Sequence, residues 1–232
     1  MIKAIIFDKD GTLMRFEPFW VPVALAATED IAARFGIERY LNTVRRAIGL
    51  NNGAVDAKGI LCAGTYGQIA DVFDAVLQQC ERPCSVTGTQ VAQAFENRAG
   101  EGKVLPVCDN LPEMLDCLRA RGIKLFVVTT DNPAITKICL SGLGVADKFD
   151  RIYCDDGIHA SKPDPQIIEE ILTDYGFGRE ELYMVGDTLT DVKFARNGKI
   201  KSVCVGSDEV KDKADYSLND VSQLAELIKY EV

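Results

Sequence analysis

Four short apolar runs in the second half of the chain, each separated from the next by a stretch of helical character, restrict the fold more than any other feature. They are KLFVVTT (124–130), RIYCDD (151–156), LYMVGD (182–187) and KSVCVG (201–206). The intervening stretches predict a helix from about Pro133 to Ser141 and another from about Thr190 to Asn197. A third, from about Pro165, carries Ile167, Ile168, Ile171, Leu172 and Tyr175 along one side. A last helix is expected from about Val221. Asn110-Leu-Pro-Glu113 reads as one more helix start, with Asn110 as its capping side chain, ending at Gly122. Short apolar strands alternating with helices pair in parallel and are covered on both faces. Ile5, Ile6 and Phe7 add one strand near the start of the chain. The expected class is therefore α/β.

Residues from about 17 to 100 interrupt this pattern. They read as mostly helical, with no convincing buried strand. Ile69, Val72, Phe73, Val76 and Leu77 fall at i, i+3, i+4, i+7 and i+8, one face of a helix. WVPVALAATEDIAARFG (20–36) predicts a second helix, started or kinked at Pro22 and ended at Gly36. NNGAVDAKGILCAGT (51–65) reads as a loop. The expected organisation is an α/β core made of residues 1–15 and 104–232, with a helical domain, 16–103, inserted after the first strand.

Composition limits the partners. The chain of 232 residues carries a net charge of −9, so it lacks the basic excess that a nucleic-acid binder needs. The uncharged run PFWVPVALAAT (18–28) is too short to span a bilayer. Eight cysteines without a C-x-x-C pair, and a single histidine, argue for free thiols rather than a disulfide framework or a zinc site. The reading is a cytoplasmic protein, a monomer or homodimer, with neither nucleic acid nor membrane as partner.

Each strand end carries polar groups. The first ends in Asp8 and Asp10, the run 124–130 in Thr129 and Thr130, and LYMVG in Asp187 with Asp191 one helical turn later. The turn after RIYCDD leads to Lys162. In a parallel sheet these ends share one edge, where ligands bind. Four carboxylates with no cysteine or histidine in their motifs suit Mg²⁺, which accepts a few carboxylates, water and phosphate oxygens. Lys162 adds a point charge for a phosphoryl oxygen. Thr129 offers a hydroxyl, and backbone N–H groups around Thr12 and Thr130 can complete an anion nest.

DKDGT (8–12), VVTT (127–130), Lys162 in SKPDP and GDTLTD (186–191) occur in the order and spacing of the haloacid dehalogenase-like (HAD) hydrolases, which this chain resembles. The resemblance implies a Rossmann-like core with a helical C1 cap, and looks most like the phosphoglycolate phosphatase branch. It implies Mg²⁺-dependent hydrolysis of a small phosphate monoester, phosphoglycolate-like or a sugar phosphate. Asp8 would be the nucleophile that forms an aspartyl-phosphate, and Asp10 the acid and base. Thr129 and Lys162 would hold the phosphoryl oxygens. Mg²⁺ would sit on the Asp8 carboxylate, the Asp10 carbonyl and Asp187, with Asp191 in support. The presence of Asp10 speaks against dehalogenation, where the leaving halide needs no proton.

Alternative readings are a phosphotransferase such as a sugar-phosphate mutase, a phosphonatase, or a phosphate-binding protein without catalysis. Asn197 and Thr130 depart from the residues usual at their motif positions, which bears on the substrate. Residues 15–103 carry nine basic and ten acidic side chains, so an anion can approach this segment despite the global charge. Within it, Arg45 and Arg46 read as a solvated helix face. Lys58 is a candidate specificity residue, and the stretch around Trp20 reads as packing.

Overall fold

The structure, a computed structural model, describes residues 1–51 and 53–230. The chain divides into two compact units, Met1–Arg15 with Val104–Val232, and Phe16–Lys103. In chain order the first unit opens with β1 (Ala4–Phe7). The second then runs through α1 (Phe16–Phe35), α2 (Leu41–Ala47), β2 (Leu50–Asn51), β3 (Ala54–Val55), α3 (Ile60–Ala63), α4 (Tyr66–Gln79) and α5 (Gly88–Asn97). The first unit resumes with α6 (Leu111–Ala120), β4 (Lys124–Val128), α7 (Pro133–Gly142), β5 (Arg151–Tyr153) and α8 (Gln166–Tyr175). It closes with β6 (Leu182–Gly186), α9 (Leu189–Asn197), β7 (Lys201–Val205), β8 (Tyr216–Leu218) and α10 (Leu224–Tyr230).

The α/β unit is built on a six-stranded parallel sheet in the order β5-β4-β1-β6-β7-β8. Successive side chains of a strand point to opposite faces, and here both faces are buried. Ile5, Phe7, Leu125, Val127, Tyr183 and Val185 pack on one side against Leu111, Leu115 and Leu118 of α6, Leu140 of α7, and Leu224 and Ile228 of α10. Ala4, Ile6, Phe126, Val128 and Met184 pack on the other against Ile167, Ile168 and Ile171 of α8 and Phe194 of α9. This two-faced burial is why the strands read as unbroken apolar runs.

The strand register positions the site. Phe7 lies level with Val127 of β4 on one side and Val185 of β6 on the other. The Asp8 N–H continues the ladder by one bond, donating to Val185 O at 2.9 Å. The residues that follow β1, β4 and β6 therefore leave the sheet together at its carboxyl edge.

Several details differ from the sequence reading. The strand β8 was not foreseen. It is three residues long at the sheet edge with no residue fully buried, so it shows no apolar run, and Tyr216 stacks on Tyr183 at 5.9 Å. Asn110 stands at the start of α6 but makes no side-chain cap bond. Its backbone, at φ −102° and ψ 25°, is not the extended conformation from which a capping side chain reaches back. In the helical unit, the stretch 51–65 expected to be a loop contributes to a small antiparallel ladder, Leu50↔Val55 and Asn51↔Ala54, and holds the short helix α3.

The helical unit has its own core. Phe19, Trp20, Val23, Ala27 and Ile31 of α1 are buried, as are Ile69, Phe73, Val76 and Leu77 of α4 and Val91 and Phe95 of α5. The α1 helix starts at Phe16 and carries Pro22 in its interior. Proline has no N–H to give to the carbonyl four residues earlier. That carbonyl, Pro18 O, accepts instead from Lys103 N at 3.0 Å, which is how the helix tolerates the proline. Arg45 corrects the expectation of a solvated face. Its guanidinium donates to Leu25 O and Glu29 at 2.7 Å each and to Thr28 Oγ1 at 3.2 Å, tying α2 to α1. Arg46 is exposed.

Candidate active site

Each carboxyl-edge residue is held by a local device. After Asp8 the chain turns sharply, with Lys9 O accepting from Leu13 N at 2.9 Å and Met14 N at 3.1 Å. Gly11 takes φ +79°, and a Cβ there would lie 2.1 Å from Asp187 Oδ2. Only glycine lets this loop press against Asp187. The buried Thr12 donates its hydroxyl to Asp187 Oδ1 at 3.3 Å, so its side chain orients a carboxylate. A Cβ on Gly186 would lie 2.3 Å from the Asp191 carboxyl carbon, so β6 also ends in close contact.

Asp191 is doubly engaged. It sits at the third position of α9, where Thr188 caps the helix. Its Oδ2 accepts from Thr188 Oγ1 at 2.6 Å and Thr188 N at 3.0 Å. Its Oδ1 accepts from Lys162 Nζ at 2.7 Å. The same ammonium donates to Asp8 Oδ1 at 2.5 Å, and its side chain is only 4% exposed. Thr129 is buried after β4; its N–H donates to Tyr153 O, and its Oγ1 accepts from Asp131 N at 3.3 Å.

Asp8, Asp187 and Asp191 each bring an oxygen within 4.8 Å of the others. Three ionised carboxylates around one ammonium would put a net negative charge in a buried place, and the site resists this by holding protons to higher pH. Burial pushes Asp8 up to about 7, against the pull of Lys162. Burial together with Asp8 and Asp191 pushes Asp187 up to about 8. Burial works against the charge of Lys162, but Asp191 and Asp8 outweigh it and hold the ammonium above its usual range. The donor set fits a hard cation. It offers oxygen only, and the negative excess is of the size a divalent ion would cancel.

The Asp10 side chain takes part in a second buried cluster. Its Oδ1 accepts from Lys9 Nζ at 2.7 Å, and the same ammonium meets Asp131 Oδ2 at 2.8 Å and Met14 Sδ at 3.5 Å. Lys9 is fully buried. Burial costs its charge dearly, yet Asp10 and Asp131 keep it well above the usual lysine range. Burial pushes Asp131 up to about 7, opposed by Lys9. Neither Lys9 nor Asp131 was among the residues expected to matter. The available signal was a lysine set between two acids directly after a fully apolar run.

Of the other expected residues, Thr130 is exposed beside the buried Thr129. Lys58 lies exposed in the helical unit, its N–H bonded to Asp56 Oδ1 at 2.9 Å. No helix among the described residues is long and apolar enough to cross a membrane.

Residues 2–199 match the family described as haloacid dehalogenase-like hydrolase. The chain is 29% identical over 199 residues to a phosphoglycolate phosphatase from Rhodospirillum rubrum, covering 84% of this chain and 76% of that one. It is 26% identical over 236 residues to the pyrophosphatase PpaX of Halalkalibacterium halodurans, covering 98% and 97%. Among solved structures, a HAD phosphatase from Thermococcus onnurineus superposes with a TM-score of 0.64 over 98% of both chains at 23% identity, a likeness of fold.

Proposed function

We propose that this chain, which belongs to the haloacid dehalogenase-like hydrolase family, is a Mg²⁺-dependent phosphatase of a small phosphate monoester, working through an aspartyl-phosphate on Asp8. The observation that carries this reading is the setting of Asp8. It is one strand-end carboxylate bound to the Lys162 ammonium, within 4.8 Å of two further carboxylates, with Asp10 two residues on. Such a carboxylate is a nucleophile whose surroundings can hold an anion beside it.

In this reading an Asp8 oxygen attacks phosphorus and the bond to the leaving oxygen breaks. Asp10 gives that oxygen a proton. Water then attacks the phosphorus of the aspartyl-phosphate, its proton passes to Asp10, and the Asp8 carboxylate is regenerated as phosphate leaves. Lys162 and Thr129 bind the phosphoryl oxygens, with backbone N–H groups near Thr12 and Thr130 beside them. Asp8, Asp187 and the Asp10 carbonyl would hold Mg²⁺, with Asp191 in support, and the ion would supply charge neutralisation of the phosphoryl group. Residues 16–103 are the cap in this reading, with Lys58 a candidate for contact with the leaving group. Phosphoglycolate-like acids and sugar phosphates are the proposed substrates, met in the cytoplasm.

Phosphate release from an aryl phosphate, with Mg²⁺ and with chelator, tests the reading. Wild type should require the ion, and Asp8→Asn should lose more than about 10³-fold in rate. Metal-independent turnover, or an Asp8→Asn protein of normal activity, would sink it. A panel of phosphoglycolate, sugar phosphates and pyrophosphate then identifies the leaving group.

A further inference from the structure

Lys9 has no part in the reaction just described, yet it is one of the most costly residues in the molecule to bury. Its side chain is fully enclosed, and its ammonium lies between Asp10 Oδ1 at 2.7 Å and Asp131 Oδ2 at 2.8 Å. A buried ion cluster of this kind is seldom more stable than apolar residues of the same volume. Packing alone would therefore be served as well by a methionine or leucine. The cluster instead fixes a geometry. Asp131 is itself anchored, its N–H on Thr129 Oγ1 at 3.3 Å and its carbonyl accepting from Asp155 N at 2.8 Å. The Lys9 ammonium also donates to Met14 Sδ at 3.5 Å, which ties it to the turn that follows Asp10. Through Lys9, the Asp10 carboxylate is tied to the β4 loop as well as to its own.

We propose that Lys9 is a positioning residue, whose buried ammonium, clamped between Asp10 and Asp131, holds the Asp10 carboxylate where it serves the leaving oxygen. The proposal rests on the phosphatase reading, in which Asp10 carries that proton. An acid displaced by an ångström loses much of its effect. The loss depends on the substrate. An alkyl ester needs its leaving oxygen protonated as the bond to phosphorus breaks, whereas 4-nitrophenolate leaves largely without help. Displacing Asp10 therefore penalises alkyl phosphates more than aryl phosphates, while a general loosening of the fold penalises both alike.

The experiment compares kcat/KM, which reports the step up to departure of the leaving group, for phosphoglycolate and 4-nitrophenyl phosphate. It uses wild type, Asp8→Asn, Lys9→Met and the double variant Lys9→Met/Asp131→Asn. The double variant removes the carboxylate that Lys9→Met would leave buried without its cation, and so keeps the test alive if the single variant unfolds. The expected result is a loss on phosphoglycolate at least about tenfold larger than on the aryl ester, in the double variant as in the single. Equal losses on both esters, or no loss, would overturn the role of Lys9 while leaving the phosphatase reading intact. Wild type inactive on the aryl ester and on every phosphate of the panel, or Asp8→Asn active, would instead overturn the phosphatase reading and the Lys9 proposal with it.

Discussion

Gly11 shows how little room the site leaves at the scale of one residue. Its φ of +79° and the 2.1 Å from a built Cβ to Asp187 Oδ2 make Gly11→Ala a double fault. The left-handed backbone would cost about 1–2 kcal/mol, and the methyl would displace a carboxylate. The expected outcome is a lower melting temperature together with at least about tenfold weaker Mg²⁺ binding by calorimetry, taking about 1.4 kcal/mol per decade. The need for glycine was not legible in DKDGT, because the atom it makes room for lies 176 residues along the chain. The Lys9–Asp131 pair escaped the sequence reading for the same reason. A lysine flanked by acids could face solvent or the interior, and only the path of the β4 loop decides which.

Among the elements, α9 joins stability to the site. Thr188 both caps the helix and holds Asp191 Oδ2, so Thr188→Ala should cost about 1 kcal/mol in unfolding free energy. It should also weaken Mg²⁺ binding, and Thr188→Ser should restore both. Thr65, which caps α4 with Gln68 in the same way, is the control. Thr65→Ala should lose a similar stability by denaturant titration and leave ion binding as it was. Periodicity revealed the long amphipathic and fully buried elements, such as α4, β4 and β6. It was silent on β8, where a half-exposed edge strand shows neither alternation nor an apolar run. At Asn110 the residue type was right for a cap and the backbone was not, since capping depends on the path by which the chain enters the helix.

For the whole molecule, the buried acids make stability depend on pH in an uncommon direction. Asp8 and Asp131, pushed up to about 7, and Asp187, up to about 8, keep protons in the folded, ion-free protein that they release on unfolding. The folded state then binds more protons than the unfolded one between the ordinary carboxylate range and these values, so stability falls as pH rises through that window. Ion-free protein should lose at least about 1 kcal/mol between pH 5 and 8. Millimolar Mg²⁺ should flatten the profile by stabilising the ionised acids, as thermal unfolding at stepped pH would show. A flat profile without Mg²⁺ would contradict the charge balance described for the site. By itself the sequence determined the α/β class and the residues at the strand ends. Hydrophobic period and strand termination are local properties of the chain. The strand order, the meeting of Lys162 with Asp8 and Asp191, and the turning of Lys9 inward to Asp131 were decided by tertiary structure. Each of these depends on which distant strands pair and in what register, and that is settled by packing of the whole sheet.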